Sequence, residues 1–101
     1  MEDTIKSIIT TEKAVMFSKT YCPYCTKAKT AFQACGITPK VYELDKMGDG
    51  DQYQAALGRM TGASSVPRVF VGGKFIGGGD DTAALAASGK LKELCKAAGC
   101  A

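Results

Sequence analysis

The chain has 101 residues, 46% of them hydrophobic and 23% charged, with no long polar tract. That fits one small domain, residues 1–101, with a core of its own, and excludes intrinsic disorder. The net charge of +3 comes from lysines and arginines that never adjoin one another, so there is no basic patch for nucleic acid, and no apolar run is long enough to span a membrane.

Residues Met1–Thr11 carry two acids and two adjacent isoleucines but no apolar run of signal-peptide length, which points to a cytosolic protein. Asp3 or Thr4 can cap a first helix, with Ile5, Ile8 and Ile9 on one face. Ala14–Ser18 (AVMFS) is a short apolar run and reads as a buried strand. After Lys19-Thr20-Tyr21 comes Cys22-Pro23-Tyr24-Cys25, where Pro23 suits the first turn of a helix. That helix continues along the stripe Ala28, Ala31, Phe32 and Cys35 and stops at Gly36. Cys35, on the apolar stripe, is expected to be a small buried hydrophobe.

Val41–Leu44 reads as a second strand and Met47–Asp51 as a loop. A third helix places Tyr53, Ala56, Leu57 and Met60 inward and ends at Gly62. Arg68–Val71 and Lys74–Ile76 flank Gly72-Gly73, the signature of a hairpin. The glycine-rich turn Gly77–Asp81 feeds a helix over Thr82–Ser88, Gly89 breaks it, and Leu91–Ala98 forms the last helix. The class is α/β: a mixed sheet of four strands with helices on both faces, the first two strands parallel and the last two antiparallel.

The chain has five cysteines and no histidine. An odd count without a secretory signal argues against a disulfide framework. Zinc would need Cys95 and Cys100 to complete the pair at Cys22 and Cys25, at loose spacing and without imidazole, so no metal is expected. Cys95 and Cys100 themselves read as unremarkable surface or half-buried thiols.

A CxxC at a strand-to-helix junction reads as a redox dithiol. The i, i+3 spacing puts both sulfurs on one helix face. At or near the N-cap, Cys22 meets unpaired N–H groups and the positive end of the macrodipole, which favour an anionic sulfur, and Lys19 adds a positive charge. Cys22 is therefore the expected nucleophile. Cys25, one turn deeper, is the expected resolving thiol.

Three motifs in order resemble the glutaredoxins that carry a CPYC dithiol: Lys19-Thr20-Tyr21 before CPYC, Thr61-Gly62 with Ser65-Val66-Pro67-Arg68-Val69-Phe70, and Ile76–Asp81. The similarity runs from about Thr4 to Leu94. It implies a thioredoxin-like fold and an enzyme that reduces protein–glutathione mixed disulfides and protein disulfides, with glutathione as co-substrate, no permanently bound cofactor, and monomeric action. Lys19 and Gln54 would hold the glycine carboxylate of glutathione, and Tyr24 would flank the mixed disulfide. Val66 would pair its backbone with the cysteinyl moiety, ahead of a cis Pro67. Gly79 and Asp80 would take the γ-glutamyl end. Ser65 stands where the family usually has threonine, and Gly79 where many members have cysteine. The alternative within the family is a dimer holding an iron–sulfur cluster between nucleophilic cysteines and glutathiones, which the rigid Pro23 disfavours.

Overall fold

A computed structural model describes residues 1–100 of the chain. In chain order the elements are α1 (Glu2–Thr11), β1 (Ala14–Ser18), α2 (Pro23–Ala34), β2 (Lys40–Glu43), a 3₁₀ turn (Leu44–Lys46), α3 (Gly50–Thr61), β3 (Arg68–Val71), β4 (Lys74–Gly77), α4 (Gly79–Ala87) and α5 (Lys90–Ala98). The four strands form one sheet in the order β2-β1-β3-β4. β1 runs parallel to β2 and antiparallel to β3, and β3 is antiparallel to β4. The mixed sheet of the sequence reading is present, with β1 at its interior.

Successive residues of a strand face opposite sides of a sheet, and here both sides are packed. Ala14 and Met16 of β1 join Val69 and Val71 of β3 beneath Ala28, Ala31 and Phe32 of α2 and Leu91 and Cys95 of α5. Val15, Phe17 and Phe70 point the other way, against Ile5 and Ile9 of α1 and Tyr53, Ala56 and Leu57 of α3. Every residue of β1 is buried, which explains why it reads as a continuous apolar run. Ser18 is its one polar member, and its hydroxyl donates to Lys19 O at 3.4 Å.

Three helix starts differ from the sequence reading by more than one residue. α1 begins at Glu2 with Met1 at its N-cap, so Asp3 and Thr4 lie inside the first turn and neither caps it. α3 begins at Gly50, inside the segment expected to be a loop. There its backbone lies against the 3₁₀ turn: a Cβ on Gly50 would sit 1.9 Å from Leu44 O. α4 begins at Gly79, not at Thr82. The Asp81 carboxylate reaches back to accept the Gly78 N–H at 3.1 Å, and the Thr82 hydroxyl donates to Gly78 O at 2.8 Å, so the glycine run closes into a helical turn. β2 is shifted one residue towards the N-terminus, to Lys40–Glu43, because Leu44 belongs to the 3₁₀ turn.

Gly50→Ala tests the first close approach. Backbone cannot yield as a side-chain tip can, so the substitution is expected to cost at least the usual ~1–3 kcal/mol of overpacking. Urea denaturation checks it: the midpoint should fall with an unchanged slope.

Candidate active site

The site begins where β1 ends. The connection from Lys19 to Tyr21 is pinned to the 3₁₀ turn by Thr20. Its N–H donates to Asp45 Oδ1 at 3.0 Å, and its hydroxyl donates to Oδ2 of the same carboxylate. The Thr20 hydroxyl holds the Asp45 carboxyl below the usual carboxylate range, against the opposing effect of desolvation. Cys22 then closes a tight turn, its N–H donating to Lys19 O at 3.2 Å, and takes the N-cap position of α2 with extended backbone (φ −90°, ψ 119°). Pro23 at the first helical position has no N–H to satisfy.

The two thiols of the CxxC differ in environment. Cys22 is half-buried, and Cys25 is wholly buried. Burial pushes the Cys25 thiol up, and its neighbour Cys22 adds to this, while the Ser18 hydroxyl opposes it. Cys25 is thus held as a neutral thiol behind a more accessible partner. Cys22 Sγ lies 3.6 Å from Val66 O, to which it donates, and the Val66–Pro67 peptide bond is cis. The extended segment before β3 is therefore set directly against the outer sulfur.

A cleft of about 270 Å³ opens beside this pair, lined by Tyr24, Ser65, Val66, Arg68 and the turn from Gly78 to Asp81. It gathers Tyr24, Val66, Gly79 and Asp80 of the sequence-predicted residues at one place. Pro67 is buried beneath it. Tyr24 is exposed, at 56% of its surface. Gly79 is buried against α2: a Cβ there would lie 2.5 Å from Tyr24 O, so its lack of a side chain sets how closely α4 approaches the dithiol. Asp80 is paired with Lys27 at 2.6 Å, both groups being largely exposed. Such a surface pair contributes little and exchanges readily for a ligand charge. Lys19 is half-buried directly after β1. Gln54 does not line the cleft; its amide donates to Ser64 O at 2.7 Å and so braces the loop that carries Ser65 and Val66.

Two charged residues of the site were missed by the sequence reading. Arg68 donates through Nη2 to Ser65 Oγ at 3.2 Å and through Nε to Pro67 O at 3.1 Å, and its guanidinium lies over the Phe75 ring at 5.0 Å. A lone arginine heading an apolar strand was the available signal. Lys27 gave none, since a lysine on an exposed helix face is ordinary.

The other cysteines need correction. Cys95 is fully buried in the core rather than at the surface. Cys35 is only partly buried, at the end of α2.

A dithiol at the N-terminus of a helix, faced by a cis-proline segment on a mixed sheet, defines a thiol–disulfide oxidoreductase of thioredoxin-like fold. Comparison with known proteins narrows this. The family model described as Glutaredoxin matches residues 14–76. Glutaredoxin-C4 of Arabidopsis thaliana is 46% identical over 97 residues, 96% of this chain and 72% of that protein. Oxidized glutaredoxin 2 from Chlamydomonas reinhardtii superposes with a TM-score of 0.93 at 48% identity, covering 99% of this chain and 94% of the other. A buckwheat glutaredoxin–glutathione complex superposes with a TM-score of 0.92 at 39% identity, over 98% and 90% of the two chains. The chain belongs to the glutaredoxin family, and is at that level a glutathione-dependent oxidoreductase.

Proposed function

We propose that the protein reduces mixed disulfides between proteins and glutathione, and protein disulfides, through Cys22. The observation that carries this is the pairing of a half-buried N-cap sulfur with a buried neutral thiol, beside a cleft of peptide dimensions. Cys22 attacks the glutathione sulfur of the substrate, the old S–S bond breaks, and the protein thiolate leaves and takes a proton. A second glutathione attacks the glutathionyl sulfur on Cys22 and departs as glutathione disulfide. With a protein disulfide, Cys22 forms the mixed disulfide and Cys25 closes onto it, releasing the substrate thiol.

Glutathione lies in the cleft with its cysteinyl backbone against Val66, in the manner of an added strand, and Pro67 fixes that segment. Its γ-glutamyl carboxylate meets the N–H groups at the start of α4, at Gly79 and Asp80. The γ-glutamyl ammonium replaces Lys27 on the Asp80 carboxylate. Lys19 attracts the glycine carboxylate, and Gln54 still has one N–H and its carbonyl oxygen free to join it. Tyr24 covers the mixed disulfide, and Arg68 adds a positive charge to the floor of the site. The odd number of cysteines fits a reducing compartment, and the reading is of a monomer acting in the cytosol.

Because Cys25 is buried and neutral, it resolves a glutathionyl group on Cys22 slowly, leaving time for a second glutathione. Cys25→Ser is therefore expected to keep the wild-type rate of deglutathionylation, to within about twofold, while losing reduction of protein disulfides. Parallel assays on a glutathionylated peptide and on a disulfide-bonded protein check this. Loss of both activities would sink the division of labour between the two thiols.

A further inference from the structure

Besides the dithiol, the chain carries Cys35, Cys95 and Cys100, and the fold gathers them on one face of the sheet. Cys35 stands at the C-terminal end of α2, whose N-terminal end carries Cys22. At ~1.5 Å rise per residue, the two ends lie roughly 20 Å apart, so this group is separate from the active site.

The end of α5 brings two of these cysteines together. Gly99 is left-handed (φ 86°, ψ 17°). Its N–H donates to Lys96 O at 3.1 Å, and the Cys100 N–H donates to Cys95 O at 2.9 Å. These two bonds make a Schellman motif, in which the side chains at the ends of the longer bond meet, ordinarily as an apolar pair. α2 closes in the same way at Gly36, and its pair is Phe32 and Ile37, both buried. In α5 the pair is Cys95 and Cys100. The Cys100 thiol donates to Cys95 O at 3.1 Å, which holds its sulfur over the last turn of α5 beside Cys95. Cys95 is fully buried, whereas Cys100 is half-buried and within reach of a small solute.

We propose that Cys95 and Cys100 form a second redox-active dithiol, which closes to a disulfide with glutathione disulfide as oxidant. The proposed activity enters only through the choice of oxidant, which is its product. Cys100, the accessible partner, attacks one sulfur of glutathione disulfide. The S–S bond breaks, and one glutathione thiolate leaves and takes up the Cys100 proton. Cys95 then attacks Cys100 Sγ, its proton passing to the second departing glutathione. Two protein thiols are oxidised, and one glutathione disulfide is reduced to two glutathiones. Burial, with the neighbouring Cys100, pushes the Cys95 thiol up to about 12, so the closing step is slow beside the opening one. Cys35 also neighbours Cys95 but belongs to another helix, whereas the Schellman turn holds Cys100 in register.

The test adds glutathione disulfide to the Cys22→Ser/Cys25→Ser chain, blocks free thiols under denaturing conditions, and maps peptides without reduction. Lys96 lies between the two cysteines, so trypsin separates them, and a disulfide joins the Glu93–Lys96 peptide to the one beginning at Ala97. The expected result is loss of two thiols out of Cys35, Cys95 and Cys100, that linked pair, and no retained glutathione. The wild-type chain treated identically should yield the same pair, which covers a double variant that folds poorly. Cys100→Ser should abolish the linked pair and leave the deglutathionylation rate unchanged. A lasting glutathione adduct on Cys100, a link from Cys95 or Cys100 to Cys35, or retention of all these thiols in both chains overturns the proposal. Because the oxidant is supplied and the active-site thiols are removed, these outcomes are independent of whether the proposed catalysis is correct.

Discussion

Cys22→Ser is expected to lower glutathione-coupled reduction of a mixed disulfide by at least ~10³-fold, equivalent to about 4 kcal/mol of barrier. A serine hydroxyl keeps the size and hydrogen-bonding reach of the thiol but is a far weaker nucleophile at neutral pH. Cys25 cannot substitute, since it is wholly buried and burial holds it neutral. The half-buried side chain at position 22 supports no core packing, so circular dichroism and Tm should remain those of the wild type. Turnover by the serine variant within tenfold of the native rate would refute an attack by this sulfur. A matching loss of Tm would show instead that the fold had failed.

The largest effect on stability is expected from Phe17→Ala. Phe17 lies in the interior strand β1 and is fully buried. Its ring stacks on Tyr42 at 5.4 Å between centroids and meets Phe70 edge-on at 6.0 Å. The neighbours belong to strands on either side and cannot follow the missing ring, so a cavity remains. Such truncations cost about 3–5 kcal/mol, a large part of the ~5–15 kcal/mol that holds a domain folded. With an unfolding entropy of ~2 cal/mol/K per residue, Tm should drop by roughly 15–25 °C. Calorimetry would measure it, and a drop of only a few degrees would mean that the core closes around the gap.

The dithiol was legible because its chemistry is local. CxxC after an apolar strand specifies two sulfurs on one face of a helix start, whatever surrounds them. The cleft was legible only in part. Val66, Gly79 and Asp80 came from motif resemblance, and the structure brings them to the cleft beside Cys22. Gln54 came from the same resemblance; its amide braces Ser64 O, outside the cleft lining. Arg68 escaped notice because strand periodicity assigns faces and does not reveal where a long side chain folds back over its own strand.

What the amino-acid sequence determined by itself was the order of strands and helices, the two-sided burial of β1, and the placing of a cysteine pair at the head of α2. These follow from short-range rules, in which apolar periodicity, a proline at the first helical turn and glycine stops act within a few residues. Tertiary structure alone decided that glycine-rich segments at Gly50 and Gly79 begin helices. Glycine disfavours a helix locally, yet at both positions another backbone, Leu44 O or Tyr24 O, comes so close that a side chain would collide with it. It also decided the burial of Cys95, because the way a helix seats on a sheet is set by packing between segments far apart in the chain, whereas the approach of Cys100 follows from the local turn at Gly99.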